Sequence, residues 1–280
     1  MSIVIFRVIG RKYRSVLDSY MSDKNSLFAF FEEIAETAAA ATLPYFRANL
    51  VIDNKVVGGF DPVTEADKGA ERAIRAIIER DYPADGIHGE EYGLVRENAA
   101  RRWVIDPVDG TRAFICGLPV WGTLVGLTKN NIAIAGLMAQ PFTGETFIAD
   151  GKRAVRQWHG QSANLRVSDC KNLNDAKMFT TSPHLFKGEM RGRLDALETR
   201  VKLSRYGTDC YAFAMLAAGF ADLVIEPGLQ PYDIVALIPL IEQAGGIVTT
   251  FEGARAENGG NVIAAATLEL HEAAMIAMRG

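Results

Sequence analysis

From Leu27 to Phe46 the apolar residues Leu27, Phe30, Phe31, Ile34, Ala38 and Ala41 recur at spacings of three and four, which predicts a long amphipathic helix. Thr64-Glu65-Ala66-Asp67, just after Pro62, reads as an N-terminal capping pattern for a second helix. Its apolar stripe runs through Ala70, Ile74, Ile77 and Ile78 toward Arg80, and Pro83 ends it. The period then shortens. Arg102 to Ile105, Thr123 to Leu127, Ile132 to Met138 and Glu145 to Ala149 read as strands. Lys129-Asn130-Asn131 and Pro141-Phe142-Thr143-Gly144 between them suit hairpins and are too short for parallel crossovers, so an antiparallel meander is expected.

Beyond Gly160 strand and helix alternate. Met178 to Thr181 is strand-like, Met190 to Thr199 a charged helix, Cys210 to Gly219 a small-residue helix, and Asp222 to Glu226 a short strand. Gln230-Pro231-Tyr232-Asp233 opens a helix from Ile234 to Ala244, stopped by Gly245-Gly246 before the strand Ile247 to Thr249. Pro239 lacks the amide that the Val235 carbonyl needs, so this helix should bend. The expected organisation is an α+β half with an antiparallel sheet over residues 25–160 and an α/β half over 161–280. Residues 1–24 form an extension: Met1 to Leu17 is basic and partly apolar, no small-residue cleavage site follows a long apolar core, and Met21-Ser22-Asp23 resembles an alternative start, so the segment is read as dispensable.

Composition narrows the class. The 280 residues, 49% hydrophobic and 23% charged, suffice for one large domain or two ordinary ones, and no apolar run approaches the roughly 20 residues that span a bilayer. A net charge of -4 gives no overall basic footprint, so nucleic acid is not the expected partner. Three cysteines and four histidines, all dispersed, fit neither a disulfide framework nor a Cys-rich zinc site, and a reducing cytoplasm suits them.

Candidate chemistry centres on Asp106-Pro107-Val108-Asp109-Gly110-Thr111, directly after Trp103-Val104-Ile105. A strand end that delivers two carboxylates into one turn sets like charges against each other, and a divalent cation is the simplest compensation. Oxygen ligation, with the Val108 carbonyl available, selects Mg²⁺ or Mn²⁺ over zinc. Gly110 permits close backbone approach to an anion, and the Gly110 and Thr111 amides could face it. Further acidic stations are Glu90 with Glu91 in a glycine-flanked turn, Asp233 at a helix start and Asp67 on the buried stripe. Each has a plainer reading: a solvated turn for Glu90, an N-cap for Asp233. Asp67 needs a buried partner or a metal.

Gly89-Glu90-Glu91, Trp103 through Thr111, Asp61 through Asp67, and Asp233 followed by Ala236 and Glu242-Gln243-Ala244-Gly245-Gly246 resemble the signature segments of the inositol monophosphatase superfamily, in the same order along the chain. The resemblance implies a layered αβαβα fold, homodimers, and phosphate-ester hydrolysis. It implies that Glu90, Asp106 and the Val108 carbonyl hold one Mg²⁺, that Asp106, Asp109 and Asp233 hold a second, and that a third binds weakly near Glu90. Two such metals can clamp a phosphoryl transfer. Thr111 and Asp67 would orient and deprotonate the water, with Glu90 also in the catalytic set, and Gly110, Thr111 and Asp233 would meet the substrate.

Arg112-Ala113-Phe114-Ile115, Arg205 through Ala212 and Gly228 through Asp233 resemble the histidinol-phosphatase branch of that superfamily. Tyr232 stands where inositol-phosphate relatives carry Trp, and Asp209 where they carry small residues. An extra carboxylate would favour the ammonium and imidazole of histidinol phosphate over a neutral polyol. Asp209 could instead cap the following helix. Glu226 matches a position that meets substrate hydroxyls in relatives, though Glu226-Pro227-Gly228 is also an ordinary turn; Arg205 is a further pocket candidate. The expected activity is a Mg²⁺-dependent L-histidinol-phosphate phosphatase of the histidine pathway. The alternatives are an inositol monophosphatase or similar small-molecule phosphatase and, in another class, a regulatory protein of RNA transcription complexes.

Overall fold

Ser26 caps the first helix, its hydroxyl oxygen accepting the Ala29 amide at 3.2 Å. Helix α1 (Leu27–Thr42) then buries Phe30, Phe31, Ile34, Ala35 and Ala38, the stripe expected from the sequence. The computed structural model describes residues 26–48, 53–54 and 62–279. The Met1 to Leu17 stretch, the alternative start at Met21 and Asp61 of the early motif lie outside the described residues. A short ribbon of β1 (Asp53–Asn54) and β2 (Pro62–Val63) leads to α2 (Glu65–Asp81). The capping pattern is realised there: Asp67 Oδ2 accepts the Thr64 amide at 2.8 Å and the Thr64 hydroxyl at 2.6 Å.

The next elements are β3 (Gly86–Gly89), β4 (Gly93–Val95), β5 (Arg101–Asp109), α3 (Thr111–Ile115), β6 (Gly122–Lys129), β7 (Ile132–Gln140), β8 (Glu145–Ala149), β9 (Ala154–Trp158) and β10 (Gln161–Asn164). All the strands from β3 to β10 join one sheet in the order β10-β9-β8-β7-β6-β5-β3-β4. From β5 to β10 it is the expected antiparallel meander, extended by the β9–β10 hairpin. The departure is β3, which lies parallel to β5.

The second half supplies β11 (Lys177–Thr180), α4 (Gly188–Glu198), β12 (Leu203–Tyr206), α5 (Asp209–Ala217), β13 (Leu223–Leu229), α6 (Pro231–Ile234), α7 (Leu237–Gln243), β14 (Ile247–Thr250), β15 (Gly260–Ala265) and α8 (Leu268–Arg279). Its sheet runs β12-β11-β13-β15-β14, with the first three strands parallel and β15 antiparallel to both neighbours.

Three apolar clusters stack these pieces into five layers. Ile34 of α1 and Ile74 and Ile78 of α2 pack on Trp103, Ile105, Val125 and Leu137 of the first sheet. Between the sheets, Phe213 of α5, Ile234 of α6 and Leu240 of α7 meet Leu124, Met138 and Phe147 from one side and Val224, Val262 and Ala264 from the other. Leu194 and Leu197 of α4 and Leu270 and Met275 of α8 cover the outer face at Met178, Leu223, Ile225 and Ile263. The result is the αβαβα sandwich. Among the described residues no helix is long and apolar enough to cross a membrane.

The predicted helix from Ile234 to Ala244 is not continuous: it breaks into α6 and α7 at Val235-Ala236, the carbonyl of Val235 being the one that Pro239 cannot serve. The joint rests on a notch in the first sheet made by the cross-strand pair Gly126 and Gly136. A Cβ on Gly126 would stand 2.7 Å from the Ala236 amide nitrogen, and one on Gly136 would overlap the Ala236 carbonyl. Backbone therefore packs on backbone where Asp233 must arrive. Gly136→Ala should destabilise the fold by about 1–3 kcal/mol through overpacking. Gly192→Ala, in exposed helix with open space around it, should stabilise by about 0.5–1 kcal/mol. Urea midpoints check both, and an unchanged midpoint for Gly136→Ala would contradict the notch.

Candidate active site and metal centre

In a regular strand, residues three apart point to opposite faces. Asp106 pairs with Leu124 and Asp109 with Gly122, so β5 carries one extra residue between them, a bulge that returns both carboxylates to one side. Hydrogen bonds fix it: Thr123 Oγ1 donates to the Pro107 carbonyl at 2.8 Å, and the Val108 amide donates to Asp106 Oδ1 at 3.1 Å. Gly110 then turns the chain into α3 with φ 79°, a left-handed conformation suited to glycine. A Cβ there would also press on Asp209 at 3.0 Å.

The break before α7 brings Asp233 to the same place. One carboxylate oxygen each of Asp106, Asp109 and Asp233 lie within 4.8 Å of one another, the one such acidic or His/Cys group among the described residues. Burial pushes the Asp106 carboxyl well above the ordinary range, and the charges of Glu90, Asp109 and Asp233 push it further. Asp109 is raised by burial and then by Asp233 and Asp209, against the pull of the Cys210 amide, which donates to its Oδ2 at 2.7 Å. Asp233 is raised by burial to about 6, while the Gln230 amide, 2.7 Å from Oδ2, works in the opposite direction. Glu90 stands in the turn after β3, outside the trio but within hydrogen-bonding reach of Asp106. Carboxylates that repel each other at such close range fit a hard divalent cation, and the all-oxygen donor set matches Mg²⁺ or Mn²⁺.

Asp67, 1% exposed, meets the same turn through Thr111. Thr111 Oγ1 lies 3.3 Å from Asp67 Oδ1 and 3.0 Å from the Val108 carbonyl, so its hydroxyl can donate to either. Asp233 is not the N-cap that its place in the sequence suggests: Gln230 takes that position, and Asp233, at the third helical residue, accepts the Gln230 amide with one oxygen only. The capping role considered for Asp209 is not found. Asp209 is the first residue of α5, at φ 42°, and the amide of Cys210 is taken instead by Asp109 from the other half.

A cleft of about 690 Å³ opens over the site, with Gly110, Thr111, Arg112, Thr181, Asp209 and Asp233 in its walls. Burial raises the Asp209 carboxyl to about 6, with Arg112 drawing it down. Glu226 is 2% exposed and lies behind the wall: it accepts the Thr181 amide at 2.5 Å and the Thr180 hydroxyl at 3.4 Å. Arg205 is exposed on the edge strand β12, and the cleft is reached by Gly207 instead. Sequence reasoning missed Thr181 and Ser182 in the cleft wall; nothing in Thr180-Thr181-Ser182 marks it, since its place depends on β11 ending beside β13. It also missed Glu71, although that residue sits on the same buried stripe as Asp67.

Comparison with known proteins agrees with this geometry. The profile of the inositol monophosphatase family matches residues 23–279. The chain is 40% identical over 253 residues to the bifunctional phosphatase IMPL2, chloroplastic, of Arabidopsis thaliana, covering 86% of this chain and 72% of that protein. It is 35% identical over 249 residues to a histidinol-phosphatase of Streptomyces coelicolor, covering 85% and 91% respectively. Among solved structures, an inositol monophosphatase from Zymomonas mobilis superposes with a TM-score of 0.80 at 38% identity, over 90% of this chain and 97% of that one.

The burial of Glu226 has a measurable signature. Its carboxyl is raised by burial from 4.5 to about 8, so the folded chain keeps a proton that the unfolded chain has lost, and stability falls as pH rises between those values. Glu226→Gln removes that loss. Its Tm relative to the unsubstituted chain should therefore climb between about pH 5 and about pH 8. A difference that stays flat across the range contradicts the buried placement.

Proposed function

The chain belongs to the inositol monophosphatase family, and from that premise we propose that it hydrolyses L-histidinol phosphate to L-histidinol and phosphate with the help of Mg²⁺. The observation that carries the phosphatase reading is the close trio of Asp106, which is buried, with Asp109 and Asp233, which are half-buried, Asp233 lining an open cleft. Glu90, Asp106 and the Val108 carbonyl would hold one Mg²⁺, Asp106, Asp109 and Asp233 a second, and a third could bind weakly near Glu90; Mn²⁺ shares the donor preference. When bound, such cations acidify a water and offset the charge on phosphoryl and leaving oxygens.

The protein's own groups do the rest. Thr111 Oγ1 can accept a proton from the attacking water while passing its own to Asp67 Oδ1, along the contact already present. Asp67 is held for this by the Thr64 amide and hydroxyl on its other oxygen. The amides of Gly110 and Thr111 lie beside the cleft, where phosphate oxygens would approach.

Substrate choice rests on Asp209. Its carboxylate shares the cleft with Asp233 and Thr111, and an ammonium group beside it would strengthen its ionised form. The Streptomyces relative bears the same activity in its name. A second reading, inositol monophosphate, draws on the Zymomonas structure; it would use the same metals but gain nothing from Asp209. Glu226 would then act through Thr181, and Arg205 would remain outside the cleft.

Asp109→Asn keeps an acceptor for the Cys210 amide, so it should fold yet lose at least about a hundredfold in Mg²⁺-dependent turnover. Substantial residual activity would argue against the second metal position. Across a panel of phosphate esters, histidinol phosphate should show the highest kcat/KM, and a preference of roughly tenfold for an inositol phosphate overturns the substrate proposal. Asp209→Ala should raise KM for histidinol phosphate by roughly tenfold and barely change it for inositol phosphate. Equal effects would remove Asp209 from substrate selection.

A further inference from the structure

One buried charged group near the centre has no part in the mechanism above. Glu71 lies on α2 one turn beyond Asp67, and its side chain is fully buried. Its Oε2 accepts the Glu91 amide at 2.7 Å; its Oε1 accepts the Tyr92 amide at 3.2 Å and Arg75 Nε at 2.7 Å. Arg75, one turn further along, donates from its guanidinium to the Gly93 carbonyl at 2.5 Å. Two neighbouring helix residues thus grip three consecutive backbone positions that run from the turn after β3 into the start of β4. Gly89 admits them, because a Cβ on that residue would overlap the Glu71 carboxylate. The opposite side of the turn is tied to β5, the Glu90 amide donating to the Ile105 carbonyl at 3.1 Å.

The residue carried by this turn is Glu90. The edge strand β4 has only three residues, so its pairing with β3 offers little independent stiffness. Three donors converging on an anion give charge-assisted bonds, the strong kind. Partners that orient a metal ligand without touching the metal commonly matter for affinity.

We propose that Glu71, braced by Arg75 and admitted by Gly89, is a positioning residue that fixes where Glu90 stands and thereby sets the metal affinity of the centre. This rests on the reading of Glu90 as a metal ligand. It makes α2 a common mount for two parts of the site. Asp67 reaches Thr111 from one turn of the helix, and Glu71 holds the Glu90 turn from the next.

The test measures Mn²⁺ binding directly, by calorimetry or by the electron paramagnetic resonance of free Mn²⁺, on the full chain and on Glu90→Gln, Glu71→Gln, Arg75→Lys and the double variant Glu71→Gln/Glu90→Gln. Metal-free Tm is recorded alongside. Glu71→Gln keeps the side-chain shape but sets an amide donor against the turn's donors. It should weaken binding at the Glu90-dependent position about tenfold, with Arg75→Lys weakening it less and the double variant no weaker than Glu90→Gln alone. Saturating Mg²⁺ should return most of the turnover of Glu71→Gln. If Glu90→Gln weakens Mn²⁺ binding and Glu71→Gln does not, the positioning role is wrong and the ligand reading stands. If Glu90→Gln itself leaves binding unchanged, the ligand reading fails. Should Glu71→Gln prove too unstable to purify, Arg75→Lys decides: unchanged Mn²⁺ affinity in that variant overturns the proposal, and weakened affinity at unchanged Tm supports it.

Discussion

Asp106, Asp109 and Asp233 each hold a carboxylate oxygen within 4.8 Å of the others, and their mutual repulsion is what the surrounding structure has to contain. Burying unpaired ions costs on the order of several kcal/mol each. Part of the answer is local. Each carboxylate gives one oxygen to a backbone amide: Asp106 to Val108, Asp109 to Cys210, Asp233 to Gln230, and Asp67 nearby to Thr64. The amide held by Asp109 belongs to the first turn of α5, and those held by Asp233 and Asp67 belong to the residues that open α6 and α2. Each is a donor with no partner inside its own helix. These bonds leave much of the repulsion unmet, and a cation held as proposed above would supply the larger part of the compensation.

Delivering these groups explains several features that would otherwise look like flaws. The bulge in β5 interrupts a ladder that is regular on both sides of it. The Gly126–Gly136 pair removes side chains from the middle of two central strands, where glycine is a poor strand former. Pro239 interrupts a helix in the apolar layer between the two sheets. All three bear on how Asp106, Asp109 and Asp233 come together. Local propensity is sacrificed to bring Asp106, Asp109 and Asp233 together, the pattern expected of a functional site.

Much of this could be read from the chain because the informative signals are short in range. The 106–111 turn declares itself by composition, α1 and α2 by their period, and the β6 to β8 hairpins by their brief connections. What stayed hidden depends on partners distant in sequence. Gly86-Ile87-His88-Gly89 contains a single β-branched residue, so β3 is legible only from its neighbour β5. The alternation Gly-Asn-Val-Ile-Ala-Ala of β15 is equally weak. Asp209 looked like a helix cap because Cys210 needs one, but the acceptor comes from Asp109, 101 residues earlier. Glu226 belongs to the site's surroundings through Thr181, which only the folding of the second sheet brings near. Glu71 was the legible omission, since the stripe that exposes Asp67 as buried exposes Glu71 as well.

The bond from Cys210 to Asp109 joins the strand end of one sheet to the first turn of a helix packed between both. Whatever draws on Asp109 is therefore felt by α5, and whatever shifts α5 is felt by Asp109, with equal free energy in each direction. This has an evolutionary side. A descendant of this chain that abandoned hydrolysis could discard the charge at position 109, but not the acceptor, because the helix would be left with a buried amide unmet. Asparagine would be the residue of retirement there, and a lineage showing it would have kept the architecture after giving up the chemistry.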